Sequence, residues 1–252
     1  MIGRLQRSAV ELIFPRRCLV CGEPGEGGEE GLCRLCRQSV DGGRSSAACP
    51  RCGANVAPFA VAHGSCAECR HHSPSVDGTV RVGPYTEVLA HIVKTYKYHG
   101  REEFEPILGR WLAETVESAS WCDHLEAVVS VPAYWTKRLT SSFHAAERIG
   151  AVVATHLGLS HVPLLRRVRG GPSQVGLTYS QRLQNVKGAF RVRRSFKMVS
   201  AKLLLVDDVR TTGATLAECS RVLRRAGAKK VFAGVVVSAG LPHGSEISLP
   251  HA

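Results

Sequence analysis

The sequence lacks any apolar run approaching the roughly 18 residues that a membrane-spanning helix needs. Its longest apolar runs, residues 203–206 and 231–237, have the length of β-strands. Charged and polar side chains interrupt residues 1–14, so this segment lacks the apolar core of about 7–15 residues found in secretory signals. We therefore expect a cytoplasmic protein without a membrane span.

Acidic side chains are absent from a long part of the second half of the chain. Residues 148–206 contain eleven Lys and Arg residues and no Asp or Glu, whereas residues 1–78 contribute only +1 to the net charge of +12. A field of one sign attracts the phosphates of a small substrate or of a nucleic acid, but a solvated basic surface has the same composition. With 44% hydrophobic and 21% charged residues, the chain can still bury a core.

Cysteine, in contrast, is abundant and regularly spaced near the N-terminus. Eight of the ten cysteines form four CxxC pairs separated by 11, 12 and 13 residues: Cys18/Cys21, Cys33/Cys36, Cys49/Cys52 and Cys66/Cys69. One CxxC turn aims two thiolates at one ion, and two turns complete a tetrahedral sulfur shell that suits zinc. Eight thiols predict two Zn²⁺ ions, and four thiolates leave no open coordination position, so both ions are expected to be structural.

The spacing allows two pairings of the four CxxC turns, each of which is a zinc knuckle. Sequential pairing, which gives two zinc ribbons in tandem, is the simplest arrangement, and cross-braced pairing is its alternative. A disulfide framework is disfavoured in a cytoplasmic protein, and the spacing differs from that of ferredoxin iron–sulfur sites. Because eight thiols suffice for two ions, we interpret the nearby His63, His71 and His72 as surface residues.

From about Val80 the chain alternates strand-length apolar runs with amphipathic stretches. The pattern predicts strands at 127–131, 202–206 and 230–238, and helices at 103–119, 143–157 and 214–226. Such alternation is typical of a mostly parallel sheet covered by helices. Residues 241–252 are predicted to be a disordered tail.

One segment, residues 203–216 (LLLVDDVRTTGATL), joins a buried strand to an acid pair and a loop of small residues. Asp207 and Asp208 come at the strand end where open α/β sheets bind ligands. Gly213 allows a close backbone approach, and the loop amides and the following helix N-terminus can bind one phosphate. The segment lacks the lysine of a Walker A loop, and the chain has no G-x-G-x-x-G. Acids beside a phosphate cradle suit a phosphorylated sugar.

This segment resembles the 5-phosphoribosyl-1-pyrophosphate (PRPP) motif of type I phosphoribosyltransferases. Coupled to the cysteine array, it makes the chain similar to the ComF family, competence-associated phosphoribosyltransferase-like proteins of bacteria. Residues 14–18, 85–100 and 174–190 also resemble stretches of that family, so the similarity covers nearly the whole chain. It implies a double zinc ribbon over residues 1–78 and an α/β domain over 79–240, a type I phosphoribosyltransferase-like parallel sheet with helices on both faces.

The resemblance also implies roles for individual residues. Asp207 and Asp208 would be the catalytic carboxylates that hold the ribose hydroxyls, directly or through Mg²⁺ that arrives with PRPP. The turn near Val131 would face pyrophosphate, and residues 166–182 would form a mobile loop over the site. The PRPP-binding residues would be Val209, Arg210, Thr211, Thr212, Gly213, Ala214, Thr215, Arg138, Arg167 and Arg182. Single-stranded DNA or a DNA-uptake helicase would be the macromolecular partner.

The chain departs from the family pattern at residues 141–145, which read SSFHA where the family usually has RGFNQ. A basic side chain, a glycine and two amides are missing there, and His144 is a candidate general base or helix cap. Two functions therefore stay open: phosphoribosyl transfer to an unidentified acceptor, or PRPP sensing or single-stranded DNA binding without turnover. Residues 94–98, with Lys94, Tyr96, Lys97 and Tyr98, are a candidate DNA-stacking surface or an ordinary helix edge.

Overall fold

The computed structural model describes residues 17–24, 30–57, 59–71, 74–133, 144–170, 179–193 and 200–239. Its centre is a sheet of five parallel strands: β1 (Gly78–Pro84), β2 (Ala127–Ser130), β3 (Ser160–His161), β6 (Lys202–Arg210) and β7 (Lys230–Ser238). Their order across the sheet is β1-β7-β6-β2-β3. A separate antiparallel pair joins β4 (Leu165–Arg167) to β5 (Phe190–Val192). The predicted parallel sheet is thus confirmed.

Seven α-helices are described, and those predicted from sequence begin and end within two residues of the predicted bounds. They are α1 (Arg34–Arg44), α2 (Ala67–His71), α3 (Glu87–His99), α4 (Phe104–Glu117), α5 (Ala145–His156), α6 (Tyr179–Val186) and α7 (Ala214–Arg225). A short 3-10 helix spans Cys122–His124. In the part of the chain that the structure describes, no helix has the length and apolar character needed to cross a membrane. The predicted tail lies outside the described residues.

Helices cover both faces of the sheet, because successive side chains of a strand point to opposite sides. Leu204 and Val206 of β6 pack with the buried side chains of α3, α4 and α5 on one face. Leu203 and Leu205 of the same strand pack against α7 on the other face. The near-continuous apolar run of β6 therefore fills two separate cores, as expected of a strand inside a doubly covered parallel sheet.

The strand order creates a crevice between β2 and β6. From β2 the chain passes through α5 to the outer strand β3, whereas from β6 it passes through α7 to β7 in the opposite direction. β2 ends opposite Val206, while β7 stays paired with β6 as far as Arg210. The apolar run predicted that β6 ends at residue 206, but pairing with β7 extends β6 through the acid pair. The carboxyl end of β6 therefore borders a topological switch point, where open α/β sheets bind ligands.

The zinc-ribbon module docks on the β1 edge of the sheet. The Thr79 amide donates to the Pro50 carbonyl at 2.8 Å, and its hydroxyl donates to the Arg51 carbonyl at 3.1 Å. A Cβ atom at Gly53, where φ is +73°, would lie 2.7 Å from the Thr79 side chain, so only glycine fits this approach. The second pair of knuckles is thereby held against the first strand.

Candidate functional site

The eight knuckle cysteines form two groups of four in the structure. Within each group the sulfur atoms all lie within 4.8 Å of one another. The first group contains Cys18, Cys21, Cys33 and Cys36, and the second contains Cys49, Cys52, Cys66 and Cys69. The knuckles therefore pair sequentially, which decides between the two arrangements that sequence analysis left open.

The sulfur spacing fits tetrahedral zinc. Zn–S bonds of about 2.3 Å place tetrahedral sulfurs about 3.8 Å apart. The Sγ atoms of Cys21 and Cys33 lie 3.7 Å apart, and those of Cys49 and Cys69 lie 3.8 Å apart. His63 is exposed and stands outside both groups, as expected. The module thus contains two zinc-binding clusters whose four-sulfur shells have a structural role.

Backbone amides stabilise thiolate sulfur in the first cluster. The amides of Val20 and Cys33 donate to Cys18 Sγ at 3.4 and 3.3 Å. Burial alone would raise the pKa of the Cys18 thiol, but these amides and that of Cys21 bring it down to about 6. The backbone therefore favours the thiolate form that a metal requires.

The acid pair lies on β6 beyond the end of β2, and both side chains are buried. The Asp208 amide donates to Asp207 Oδ1 at 2.9 Å, which fixes the Asp207 carboxyl group. Burial, followed by the neighbouring Asp208 carboxylate, raises the pKa of Asp207 to about 8. Two carboxylates that are buried side by side repel each other, and a nearby cation reduces this repulsion.

That cation is Lys97, which sequence analysis did not assign to this site. Its Nζ lies 2.7 Å from Asp208 Oδ2, at the last turn of α3. Burial opposes a charge on Lys97, but the Asp208 carboxylate raises its pKa above the ordinary value. The family-like stretch at residues 85–100 includes Lys97, but no local pattern links Lys97 to Asp208, because the two residues are more than a hundred positions apart.

Only part of residues 94–98, the candidate DNA-stacking surface, is accessible. They belong to α3, and Tyr96 is fully buried in the core that α3 shares with the sheet. Of the two tyrosines only Tyr98 is exposed, at 70%. The helical period turns Tyr96 inward and Lys97 toward Asp208, and it leaves Lys94 and Tyr98, which are four residues apart, on one exposed face of α3.

The predicted phosphate loop joins β6 to α7. Gly213 has φ of +75° and stands at the N-cap of α7, and its carbonyl accepts the Ala217 amide at 2.9 Å. Thr212 Oγ1 accepts the Ala214 amide at 3.4 Å. A left-handed residue at the cap is easiest for glycine, and the helix N-terminus behind it favours an anion. Val209, Thr211, Gly213 and Thr215 are partly accessible, whereas Thr212 and Ala214 are buried.

Arg210 faces the zinc module in this structure. Its guanidinium contacts Glu68 Oε1 at 3.0 Å, the Ser238 hydroxyl at 3.2 Å and the Thr211 carbonyl at 3.1 Å. The side chain is only 2% exposed. Glu68 lies between Cys66 and Cys69, so this arginine connects the second zinc cluster to the phosphate loop. Its predicted contact with PRPP stays a prediction.

The other predicted PRPP-binding arginines belong to β4, to α6 and to residues outside those that the structure describes. Arg167 lies in β4, with its guanidinium 5.5 Å from the centre of the Phe190 ring. Arg182 belongs to α6, and Arg138 lies outside the described residues, as do residues 141–143. His144 stands at the N-cap of α5. Val131 follows β2 and donates its amide to the Val206 carbonyl at 2.9 Å, so the start of the predicted pyrophosphate turn does border β6.

We predict that Asp207→Asn stabilises the protein at alkaline pH. A folded-state pKa of about 8, against 3.8 for an unperturbed aspartate, means that the folded chain keeps a proton that the unfolded chain releases. Stability should therefore fall as pH rises from about 4 to about 8, by a few kcal/mol in total, and asparagine should remove this loss. Thermal unfolding at pH 5 and pH 8.5 measures the difference. The exposed Asp123→Asn is the control, and parallel pH curves for both variants would contradict the prediction.

The chain is similar to several known proteins. The double zinc ribbon domain family matches residues 9–74. Competence protein F of Haemophilus influenzae is 29% identical over 223 residues, 86% of this chain and 95% of the relative. The DNA utilization protein YhgH of Salmonella typhimurium is 30% identical over 226 residues, 87% of this chain and 96% of the relative. The solved adenine phosphoribosyltransferase of Leishmania tarentolae is similar with a TM-score of 0.39 and 13% identity, covering 66% of this chain and 93% of that one.

Fold and site together define an α/β protein with a parallel sheet that carries an N-terminal double zinc ribbon. Two zinc-binding clusters precede a parallel sheet with an acid pair and a glycine-containing loop at its switch point. With 30% identity over nearly the full length of YhgH, the chain belongs to the ComF family, which includes competence protein F and YhgH.

Proposed function

We propose that this chain binds PRPP with Mg²⁺ at the carboxyl end of β6. The observation that supports the proposal is the order of groups along one strand, loop and helix: two buried acids, then left-handed Gly213, then the start of α7. The acids suit ribose hydroxyls, and the loop with the helix N-terminus suits the 5′-phosphate.

Asp207 and Asp208 would also hold Mg²⁺, because carboxylate oxygens are the ligands that this hard cation prefers. The raised pKa of Asp207 and the contact of Asp208 with Lys97 show a pair that favours added positive charge. When bound, Mg²⁺ would neutralise charge on the pyrophosphate group. Lys97 lies at the same acids and would be available to phosphate oxygens.

We propose phosphoribosyl transfer to an unidentified acceptor as the reaction. Asp207 and Asp208 would steady the ribose while the bond from its anomeric carbon to pyrophosphate breaks and a bond to the acceptor forms. The alternative is PRPP sensing without turnover. It is favoured by residues 141–145, which lack the basic and amide side chains of the family pattern.

The names of the relatives support a DNA-linked role. One is a competence protein and the other a DNA utilization protein. We propose that this chain also acts in DNA uptake, in the cytoplasm, with single-stranded DNA or a DNA-uptake helicase as partner. In this proposal residues 1–78 and 79–240 are its two domains, followed by a tail over 241–252.

Calorimetric titration of PRPP with Mg²⁺ into the full chain tests the proposal. The Asp207→Asn/Asp208→Asn variant should bind at least about 100-fold more weakly, because each lost charged hydrogen bond is worth about 1.5–3 kcal/mol. Glu102→Gln/Glu103→Gln, an exposed adjacent acid pair, is the matched control and should bind as wild type does. Absence of binding by folded wild type with two zinc ions, or equal binding by the acid variant, would overturn it.

A further inference from the structure

A basic pocket lies at the amino-terminal edge of the sheet, away from the acid pair. Arg51 of the zinc module lines it together with Arg221, Arg224 and Arg225 at the end of α7, and its volume is about 580 Å³. The phosphate loop precedes the first residue of α7, whereas the arginines of α7 lie toward its last residue. Twelve residues at 1.5 Å each separate the two places by about 18 Å.

Two of the four arginines are paired with acids. Arg224 contacts Asp77, which also accepts Lys230 Nζ and the Val231 amide, each at 2.9 Å. Arg221 contacts Glu218 within α7. These two ion pairs hold the pocket wall in place. Asp77 accepts donors from three residues, so its charge is already compensated.

The other two arginines, Arg51 and Arg225, are exposed and have no ion pair among the residues that the structure describes. With four arginines and Asp77 as the lining charges, the pocket is strongly positive. Basic residues in the last turn of α7 also stabilise the helix dipole, which is reason enough for Arg225. That effect does not explain Arg51, which belongs to a different module.

Docking of the zinc module brings Arg51 to the pocket. Its carbonyl accepts the Thr79 hydroxyl at the start of β1, and the neighbouring Pro50 carbonyl accepts the Thr79 amide. The carbonyl of Ser75, at the rim, accepts the Ser220 hydroxyl of α7 at 2.7 Å. The two modules therefore place Arg51 and Arg225 on one concave surface, and this arrangement requires the folded zinc module.

We propose that this pocket binds the phosphodiester backbone of single-stranded DNA. Arginine binds phosphate through two parallel hydrogen bonds. No aromatic side chain is among the described residues that line the pocket, so bases would not stack there and binding would be independent of sequence. A flexible single strand can enter a concave surface, whereas a rigid duplex touches only its rim. The proposal rests on the DNA-linked role proposed above.

Fluorescence anisotropy with a labelled oligothymidylate of about 20 nucleotides, between about 50 and 300 mM NaCl, tests the site. In Arg51→Ala/Arg225→Ala the slope of log affinity against log salt should fall by about 1.4, and affinity at about 0.1 M salt should drop about 25-fold. Arg34→Ala/Arg191→Ala removes two exposed charges, one from each module, and should keep the wild-type slope within about 0.5. Two zinc equivalents in every variant confirm folding.

PRPP titration of the same proteins separates this proposal from the proposed function. Arg51→Ala/Arg225→Ala should bind PRPP as wild type does, and Asp207→Asn/Asp208→Asn should bind the oligonucleotide as wild type does. Equal oligonucleotide affinity in the arginine variant and its control would overturn the proposal that this pocket binds DNA, whatever the affinity for PRPP. Equal binding of a duplex, or displacement by equimolar pyrophosphate, would overturn the assignment to a single strand.

Discussion

Replacing Arg210 with alanine should lower the free energy of unfolding by about 3 kcal/mol and the melting temperature by roughly 10 °C. The Arg210 side chain is only 2% exposed and its partner Glu68 is 18% exposed. Alanine would leave the Glu68 carboxylate, the Ser238 hydroxyl and the Thr211 carbonyl without their shared donor. Breaking a buried pair is costly because the remaining charge is uncompensated.

A double-mutant cycle identifies the cause. Glu68→Gln alone should also destabilise, and the double variant Arg210→Ala/Glu68→Gln should lose less than the sum of the two single losses, because neither charge then remains. Arg101→Ala, which breaks an exposed pair with Glu103, is the control and should change stability by less than about 0.5 kcal/mol. If Arg210→Ala had the same melting temperature as wild type, the contact between Arg210 and Glu68 would contribute nothing to the free energy of unfolding.

Cys66→Ser should reduce bound zinc from two ions to one and weaken PRPP binding as well. A structural zinc site supplies about 10–16 kcal/mol of folding free energy in small zinc peptides, so its loss should unfold the second half of the module. That half supplies Glu68 to Arg210, and its Asn55 side-chain amide donates to the Ser238 carbonyl at 3.3 Å. The phosphate loop follows Arg210 directly, so it should lose its support.

The first cluster provides the matched control for this prediction. Cys21→Ser should also remove one zinc ion, but Cys21 belongs to the cluster that does not contact Arg210. Elemental analysis should give one equivalent for each variant, and calorimetry should show weaker PRPP binding only for Cys66→Ser. Equal PRPP affinity in the two variants would contradict a connection that runs specifically through the second cluster.

Local pattern was enough to predict most elements of the fold. The CxxC spacing predicted two clusters because a two-residue turn determines how close its sulfurs lie. The helical period predicted α4 and α7, and the apolar runs predicted β6 and β7. The end of β6 was predicted four residues early, because Asp207 and Asp208 read as a strand terminus. Pairing with β7 keeps them in the ladder, a contact that the pattern of one strand does not contain.

Local spacing was sufficient to predict the zinc ligands, the alternation of strands and helices, and the order of acid pair, glycine loop and helix at the candidate site. These features depend on residues within one or two turns of each other, where geometry follows from spacing. Long-range contacts in the folded chain were needed to show which knuckles share an ion, that Lys97 meets Asp208, that Arg210 faces Glu68, and that Arg51 joins the arginines of α7. Those partners are distant in the chain, and they meet because the sheet order and the docking of the zinc module bring them together.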